Sequence, residues 1–391
     1  MYTKCLATIV PLMVMVMLTA SCSDKSVFRL RSSSETGITF NNKIVEDSAV
    51  NPIHLEFIYN GSGVAVGDFN RDGLPDLYFT GSRVQNELYL NTGNLKFNNV
   101  TTESGTGGGK YWSSSASVVD INNDSLPDIF VSNSVKKPGT ERINQLYINT
   151  GVNGNGIPVF REMAAEYNLA DTSHTVMTAF FDYDNDGDLD AYMLTTSPIE
   201  RSPTIYNVYT KDTINVSSDR LYRNDFDSSL NHPVFTDVSK AAGVALSGYG
   251  LGVTVSDINF DGWKDIYVTN DFNNSDHLFI NNQHGGFIEE SKTYLKHTSF
   301  NAMGNDIADI NNDCLPDIVT VDMNAKDNFR KKMNMSANSY QAYTNLIKYD
   351  YNIQYVRNTL QLNQGFVPAN SNDSGRPMVF SEIGFLSGIA E

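Results

Sequence analysis

The chain has 391 residues, of which 40% are hydrophobic and 19% charged, and its formal net charge is −17. This length is sufficient for a large buried core. The acidic balance argues against nucleic acid as a partner, because phosphate binding needs a basic surface and the sequence offers no basic stripe.

The first predicted element is an export signal over residues 1–21. An apolar stretch from Cys5 to Leu18 is too short to cross a bilayer. The small residues that follow end at Cys22 and resemble a bacterial lipobox, although Thr19 stands where an aliphatic residue is usual. We expect lipidation of Cys22, followed by a Ser-rich tether over residues 22–36; cleavage to a soluble secreted protein is the alternative.

This predicted leader indicates a location outside the cytoplasm. We expect an outer-membrane or cell-surface lipoprotein that touches the membrane only through its N-terminal lipid, with a periplasmic or secreted protein as the alternative. Once Cys5 is removed and Cys22 is lipidated, Cys314 is the remaining cysteine, so no disulfide can form within the chain. Calcium, which is abundant outside cells, could stabilise the loops instead.

A nine-residue acidic loop then recurs five times, which is the main signal in the sequence. Side-chain oxygens occupy loop positions 1, 3, 5 and 9 in every copy, and the carbonyl of position 7 can add a further ligand. Hard cations such as Ca²⁺ prefer such all-oxygen sets. The loops span residues 68–76, 120–128, 182–190, 257–265 and 309–317. The predicted ligands are Asp68, Asn70, Asp72, Leu74 and Asp76 in loop 1; Asp120, Asn122, Asp124, Leu126 and Asp128 in loop 2; Asp182, Asp184, Asp186, Asp188 and Asp190 in loop 3; Asp257, Asn259, Asp261, Trp263 and Asp265 in loop 4; and Asp309, Asn311, Asp313, Leu315 and Asp317 in loop 5.

These loops begin like an EF-hand but do not continue as one. An EF-hand needs a bidentate Glu at position 12 and a helix on each side. Here position 12 is never Glu, and each loop leads into a short apolar, β-branched stretch that indicates a strand. The pattern therefore predicts a calcium loop between two strands. The alternative is a set of Asx-type turns without metal, which would not require the acid at position 9.

The loops differ at position 6, where the chain must turn sharply. Loops 1, 3 and 4 have Gly there, whereas loop 2 has Ser125 and loop 5 has Cys314. A non-Gly residue in the left-handed region costs about 1–2 kcal/mol. We therefore expect loops 2 and 5 to bind more weakly, and loop 3, with its five carboxylates, to bind most tightly.

Each loop belongs to a repeating unit of roughly fifty residues, the length of a propeller blade. A segment of small residues precedes the loop, a strand follows it, and a Leu-Tyr-x-Asn-like strand and a Phe-led strand come next, as in Leu88–Asn91 and Phe97–Val100. The fold class predicted is all-β, a β-propeller of at least five four-stranded blades, in which the small residues crowd the axis. A β-sandwich with irregular turns is the alternative.

Two insertions interrupt this period. Residues 195–218 are polar, and we expect them to form a long loop. Residues 322–354 are the one stretch predicted to be helical, and they carry Arg330, Lys331 and Lys332 among several Tyr. Long insertions of this kind are often functional. A packing cap over one face of the propeller and a binding role are the two interpretations of the second insertion.

Residues 37–391 resemble FG-GAP/VCBS repeats, the blades of the integrin α-subunit N-terminal propeller. More narrowly, Gly37–Phe40, Gly63–Asn70 and Gln354–Asn363 resemble the bacterial cartilage-acidic-protein-like proteins, in which a seven-bladed propeller usually precedes an ASPIC/UnbV domain. The resemblance implies calcium ligation at the loop positions given above and no known reaction. Because the sequence stops where a sixth loop is expected, we expect a fragment of a longer protein; a ring of fewer blades is the alternative.

The sequence shows no nucleophile elbow, dinucleotide fingerprint or zinc-binding His pair. We therefore expect a non-catalytic, calcium-binding cell-envelope lipoprotein that binds an extracellular protein or glycan, with up to five Ca²⁺ ions. The main alternative is a propeller enzyme of polysaccharide degradation, a hydrolase or lyase with its active site on the axis or in a missing C-terminal part. A structural module of an uptake complex is the third hypothesis.

Overall fold

The structure is a computed structural model, and the predicted signal peptide, Cys22 and most of the insertion at 195–218 lie outside the residues it describes. The described residues are 27–55, 57–109, 111–135, 142–196, 215–230, 232–272, 274–333, 339–366 and 378–390.

Five four-stranded antiparallel sheets dominate the described residues, and each is one repeat of the sequence. In four of the five, the strands follow chain order without interruption; in the fifth, a short strand and two helices intervene before the third strand. The blades consist of β1 (Val64–Gly67), β2 (Asp76–Phe79), β3 (Glu87–Asn91) and β4 (Phe97–Asn99); β5 (Ser113–Val119), β6 (Asp128–Asn133), β7 (Gln145–Val152) and β8 (Pro158–Glu162); β9 (Thr175–Phe181), β10 (Asp190–Thr195), β11 (Arg220–Asp227) and β12 (His232–Asp237); β13 (Gly250–Ser256), β14 (Asp265–Asn270), β15 (His277–Asn281) and β16 (Phe287–Glu289); and β18 (Ala302–Ala308), β19 (Asp317–Asp322), β21 (Thr359–Phe366) and β22 (Met378–Glu382). A separate parallel pair joins β17 (Thr298–Ser299) to β20 (Gln354–Tyr355).

The acidic loop connects the first and second strands of every blade. In blade 1, Gly67 at the end of β1 pairs with Asp76 at the start of β2, so the nine-residue loop closes a hairpin. The same register recurs in the other blades, for example between Ser256 and Asp265. Since position 9 opens the second strand each time, the loop geometry is fixed by the sheet that follows it.

Adjacent blades pack face to face, and their first strands lie side by side from β1 through β5, β9 and β13 to β18. The core therefore lies between blades. Tyr78 and Leu88 of blade 1 pack against Ile129 and Tyr147 of blade 2, and equivalent clusters join each later pair. This arrangement confirms the all-β propeller of four-stranded blades.

Six short helices accompany the sheets in the described residues, and four of them lie outside 322–354, the one stretch that was expected to be helical. One-turn helices follow the fourth strand in blades 1, 4 and 5, where the chain turns toward the next unit. The helices are α1 (Ser33–Thr36), α2 (Thr101–Ser104), α3 (Ser291–Tyr294), α4 (Asn328–Met333), α5 (Tyr340–Lys348) and α6 (Gly384–Ser387). No helix in the described part of the chain is long and apolar enough to cross a membrane.

The helices α4 and α5 lie in the predicted insertion between β19 and β21. Ser339 caps α5, because its hydroxyl accepts a hydrogen bond from the backbone N–H of Ala342. The helix buries Leu346 and leaves Tyr340 and Tyr343 exposed. Helix α1 occupies the end of the predicted tether and begins with a capping box between Ser32 and Glu35.

Candidate metal centre

All five loops share one hydrogen-bonded turn, built on the carboxylate at position 1. In loop 1, Asp68 Oδ1 accepts from the backbone N–H of Asp72 at 3.0 Å, and Oδ2 accepts from Gly73 at 2.9 Å. The equivalent pair of bonds recurs in loops 2 to 5. The turn thus wraps around the first Asp, with the remaining acidic side chains gathered at the same end of the blade.

Two residues of each loop adopt the left-handed backbone region. Position 6 does so with φ of 85° at Gly73, 67° at Ser125 and 68° at Cys314, as the sequence predicted. Position 4 does so as well, which the sequence analysis missed. Its residues are Arg71, Asn123, Asn185, Phe260 and Asn312. Asn at three of the five positions was the available signal, since Asn tolerates this region better than most residues.

Position 9 is a fully buried carboxylate that fastens the loop to the sheet. In blade 1, Asp76 Oδ2 accepts from the N–H of Phe69 at 3.0 Å, and Oδ1 accepts from the N–H of Asn91 on β3 at 2.8 Å. All five blades repeat both bonds. The acid at position 9 therefore has a structural role in addition to any metal ligation.

Burial raises the pKa of these carboxyl groups in four loops. The pKa rises to about 6 for Asp76, about 7 for Asp128 and Asp265, and about 8 for Asp190, and the neighbouring loop acids add to the shift. Desolvation disfavours the charged form of a carboxyl group, and nearby like charges do the same. A bound cation would reverse this penalty by stabilising the carboxylates.

In loops 1, 2, 4 and 5, the Asn at position 3 forms hydrogen bonds with the Asp at position 5. In loop 1, Asn70 donates from its amide to Asp72 Oδ2 at 2.9 Å, and its Oδ1 accepts from the N–H of Asp72. Loops 2, 4 and 5 repeat both contacts. The amide thus holds the carboxylate at position 5 in place.

Loop 3 lacks that amide, because position 3 is Asp184 and position 7 is Asp188. Asp184 Oδ1 and Asp188 Oδ1 are buried and have no hydrogen-bond partner among the described residues. Burial and the neighbouring acids raise the pKa of Asp184, and they raise that of Asp188 to about 7. Buried acceptors without partners are unusual and require an explanation such as an ion.

The geometry of loop 3 fits a calcium ion. One oxygen each from Asp182, Asp184 and Asp190 lies within 4.8 Å of the others, and this is the one such acidic group found in the described part of the chain. Ca²⁺ holds its oxygen ligands at about 2.3–2.6 Å, so oxygens that share one ion lie within about 5 Å of one another. Asp186 and Asp188 flank the group. The structure therefore brings three of the five acids predicted as ligands for this loop within reach of one ion.

Neighbouring loops are also linked to one another. Asn185 of loop 3 donates to the carbonyl of Gly262 in loop 4 at 3.3 Å, and Asn281 on β15 donates to the carbonyl of Tyr183 at 2.7 Å. In the same way, Asn149 of blade 2 donates to the carbonyl of Phe69 in loop 1. The loops thus take part in the contacts between adjacent blades.

Comparison with known proteins identifies the repeat. A family model described as an FG-GAP-like repeat matches residues 68–131 and 257–320. Each match begins at the first Asp of a loop and ends within the strand that follows the next loop. The sequence comparison with curated proteins gives no match. The narrower cartilage-acidic-protein-like family stays an expectation from the sequence.

Solved structures resemble the chain only distantly. The Vibrio cholerae biofilm matrix protein Bap1 is 12% identical, with a TM-score of 0.36, over 68% of this chain and 35% of that protein. The chain therefore spans about a third of the length of Bap1. A complex of BBS1N with ARL6DN, soaked with lead, is 11% identical with a TM-score of 0.28, over 66% of this chain and 74% of that one.

Proposed function

We propose that this chain is an exported, non-catalytic propeller module whose acidic loops bind Ca²⁺ and whose surface binds an extracellular protein or glycan. A lipid on Cys22 would hold it at the cell envelope. Loop 3 supports the calcium proposal most directly, because the buried Oδ1 atoms of Asp184 and Asp188 lack hydrogen-bond partners among the described residues while Asp182, Asp184 and Asp190 converge.

The chemistry of the site favours Ca²⁺ over softer ions. The converging groups are all oxygens, whereas zinc and copper sites usually include His or Cys ligands. The backbone turn around the position 1 carboxylate is already formed by hydrogen bonds. Binding therefore requires little reorganisation of the loop. Bound cations would also offset part of the −17 net charge, since the five loops contain 17 of the 45 acidic side chains.

The binding role is supported by the FG-GAP-like repeats, which are compatible with a binding module, and by a sequence without a recognisable catalytic motif. Propellers host many functions, so the fold by itself assigns none. Ions that hold the acidic loops, which hydrogen-bond to neighbouring blades, would make the surface more rigid, and a rigid surface loses less entropy on binding.

The calcium proposal is tested by thermal unfolding of the full chain with Ca²⁺ and with a chelator. At a free Ca²⁺ concentration of about 100 times Kd, one site stabilises the fold by about 2.7 kcal/mol. We expect the melting temperature to rise clearly with Ca²⁺ and less with Mg²⁺, which demands a tighter octahedral site. Identical melting curves with Ca²⁺ and with chelator would refute the proposal.

The role of loop 3 is checked with a matched pair of variants. Asp182→Ala removes a predicted ligand, whereas Glu103→Gln removes an exposed acid on α2 that lies outside the loops. We expect Asp182→Ala to lower calcium stoichiometry by one in isothermal titration and Glu103→Gln to leave it unchanged. Equal stoichiometry in both variants would count against loop 3 as a site.

The proposed anchor is tested separately, on the full precursor expressed in bacteria. Cys22→Ser should move the protein from the membrane fraction to the soluble exported fraction, because serine at this position cannot carry the lipid. Mass spectrometry of the mature N-terminus should show an acylated Cys22 in the unaltered protein. An unmodified N-terminus at another residue would refute lipidation.

A further inference from the structure

An open cleft of about 530 Å³ lies between the helical insertion, the parallel pair β17–β20 and helix α6. Its volume is within the range of small-molecule sites, about 300–1,000 Å³. The lining is strongly aromatic, with Phe300, Tyr340, Tyr343, Tyr355 and Phe385 around it. The calcium loops do not contribute to this cleft, so it is a distinct feature of blade 5.

Phe385 breaks the pattern that the other four blades follow. It stands two residues after the end of the fourth-strand motif, where the other blades carry Thr102, Ala165, Lys240 and Lys292, and Leu386 stands where they carry Glu103, Glu166, Ala241 and Thr293. Those equivalent residues are exposed even though another blade follows them. Phe385 is 58% exposed. Blade 5 therefore carries an exposed aromatic ring at a position where the other four blades have a polar or small residue.

The cleft also contains a rigid polar floor. The Gln354 side chain is 5% exposed, and its amide Nε2 donates to the carbonyl of Asn274 at 2.7 Å. Its Oε1 is buried and has no hydrogen-bond partner among the described residues. Gln354 thus lines the cleft and carries an unpartnered acceptor with almost no accessible surface, which a ligand hydroxyl would reach only after a small shift of the lining residues.

Arg357 is held in a fixed position beside this acceptor. Its guanidinium lies 4.5 Å from the ring centre of Phe385 and 5.2 Å from that of Tyr355. Its Nη2 donates to Glu382 Oε2 at 2.7 Å. Because Glu382 balances its charge, Arg357 mainly holds the two aromatic rings in place.

The rim of the cleft is basic in an otherwise acidic protein. Four basic residues and one acidic residue lie between positions 326 and 333, and Lys331 among them lines the cleft. Arg330 is paired with Asp327 at 3.4 Å. Lys331 therefore provides a cation at the mouth, which complements an anionic group on a ligand.

We propose that this cleft binds a carboxylated oligosaccharide, that is, a glycan that contains uronic acid. The apolar C–H faces of sugar rings would lie against Tyr340, Tyr343 and Phe385, a hydroxyl would donate to Gln354 Oε1, and the uronate carboxylate would accept from Lys331 Nζ. A peptide carboxylate could also pair with Lys331, and binding of an acidic peptide is therefore one of the outcomes that the test distinguishes. The inference rests on the proposed binding role and is independent of the calcium ions.

The test is isothermal titration of the full chain with a hexasaccharide of alternating glucuronate and N-acetylglucosamine, beside its carboxyl-reduced neutral counterpart. We expect the acidic sugar to bind more tightly. Lys331→Gln should weaken it by about tenfold, the value of one charge-assisted hydrogen bond, and should remove most of the preference over the neutral sugar. Lys332→Gln is the matched control, because Lys332 is on the same helix and does not line the cleft.

Tyr340→Ala should weaken binding of both sugars, and Phe226→Ala, which removes an exposed aromatic on β11, should not. No binding of either sugar, binding that all four variants leave unchanged, or equal binding of a poly-glutamate peptide of similar charge would overturn the proposal. Melting curves with Ca²⁺ and with chelator on the same samples separate the two proposals. A normal calcium response without sugar binding refutes the cleft alone.

Discussion

Loop 3 and loop 1 have the same backbone turn but meet different electrostatic demands. In loop 1, the amide of Asn70 donates to Asp72 Oδ2, and this hydrogen bond stabilises the carboxylate of Asp72 in part. In loop 3, Asp184 has no such donor to offer, and buried oxygens of Asp184 and Asp188 stay without partners in the described structure. The residue at position 1 therefore forms the turn, whereas the residues at positions 3 and 7 decide whether buried oxygens are left for a cation.

Position 9 shows the opposite behaviour, because it is the same in every blade. Both oxygens of Asp76 and of Asp190 accept backbone N–H groups from the loop and from the third strand. This residue fixes the blade whether or not the loop carries an ion.

Asp128→Ala in loop 2 and Asp190→Ala in loop 3 should both destabilise strongly, even with chelator present. Each change leaves two buried N–H groups without an acceptor, at a cost of about 1–3 kcal/mol per group. The free energy of unfolding in denaturant, measured in chelator, should fall by roughly 2–6 kcal/mol in both. A loss seen only in Ca²⁺ would show that position 9 acts through the ion.

The double change Asp184→Asn with Asp188→Asn should separate loop 3 from the others. In chelator, the variant should melt higher than the unaltered protein, because two buried like charges are removed. In Ca²⁺ at about 100 times Kd, it should lack the gain of about 2.7 kcal/mol that one site provides. The control is Asn70→Asp in loop 1, which should lower the melting temperature in chelator. A double variant that gains as much from Ca²⁺ as the unaltered protein would contradict the comparison.

Ser125→Gly and Cys314→Gly should strengthen loops 2 and 5. Both residues hold positive φ, at 67° and 68°, which only Gly adopts without strain. Each change should raise the free energy of unfolding by about 1 kcal/mol and tighten calcium binding at its own loop. Gly73→Ser in loop 1 is the reverse control and should destabilise by a similar amount. No change at either site would mean that the loop has relaxed around its side chain.

Asp219→Asn and Asp276→Asn should stabilise blades 3 and 4 at alkaline pH. Both carboxyl groups are buried, and burial raises their pKa, to about 6 for Asp219 and about 7 for Asp276. Since the folded-state pKa lies above the unfolded value, stability is lost as pH rises through the folded pKa. His277 and Asp322 act on Asp276 in opposite senses, and His277 also favours the ionised Asp219.

The other blades show that Asn fits this position. In blade 1, Asn86 Oδ1 accepts from the N–H of Gly81, and its amide donates to the Tyr78 hydroxyl. At pH 8 each Asp→Asn variant should gain on the order of 1 kcal/mol, the equivalent of one pKa unit, and at pH 4 the gain should disappear. Chemical denaturation at both pH values measures this. A gain that is the same at both would assign the effect to packing.

Much of the architecture could be predicted because its signals are local and repeated. The spacing of Asp, Asn and Gly in the loops and the alternating strands that follow them indicate a turn between two strands. Five copies in register indicate five blades. The helical insertion could be predicted from its composition, whereas the one-turn helices α1, α2, α3 and α6 could not, because four residues carry too little periodicity to stand out. The left-handed residue at position 4 was indicated only by Asn in three of the five loops, since Arg71 and Phe260 occupy the other two.

Residue types and their spacing are enough to predict the loops, the order of the strands and the kind of ligand atom, because these depend on residues within a few positions of one another. Which oxygens lack partners depends on the folded chain, since Asp190 accepts from the N–H of Asn224 and Gln354 donates to the carbonyl of Asn274 across long separations in the chain. Hydrogen-bond satisfaction depends on neighbours in space, which a pattern of residue types does not specify. The aromatic cleft follows the same logic, because its walls come from an insertion, a strand and a helix that only folding brings together.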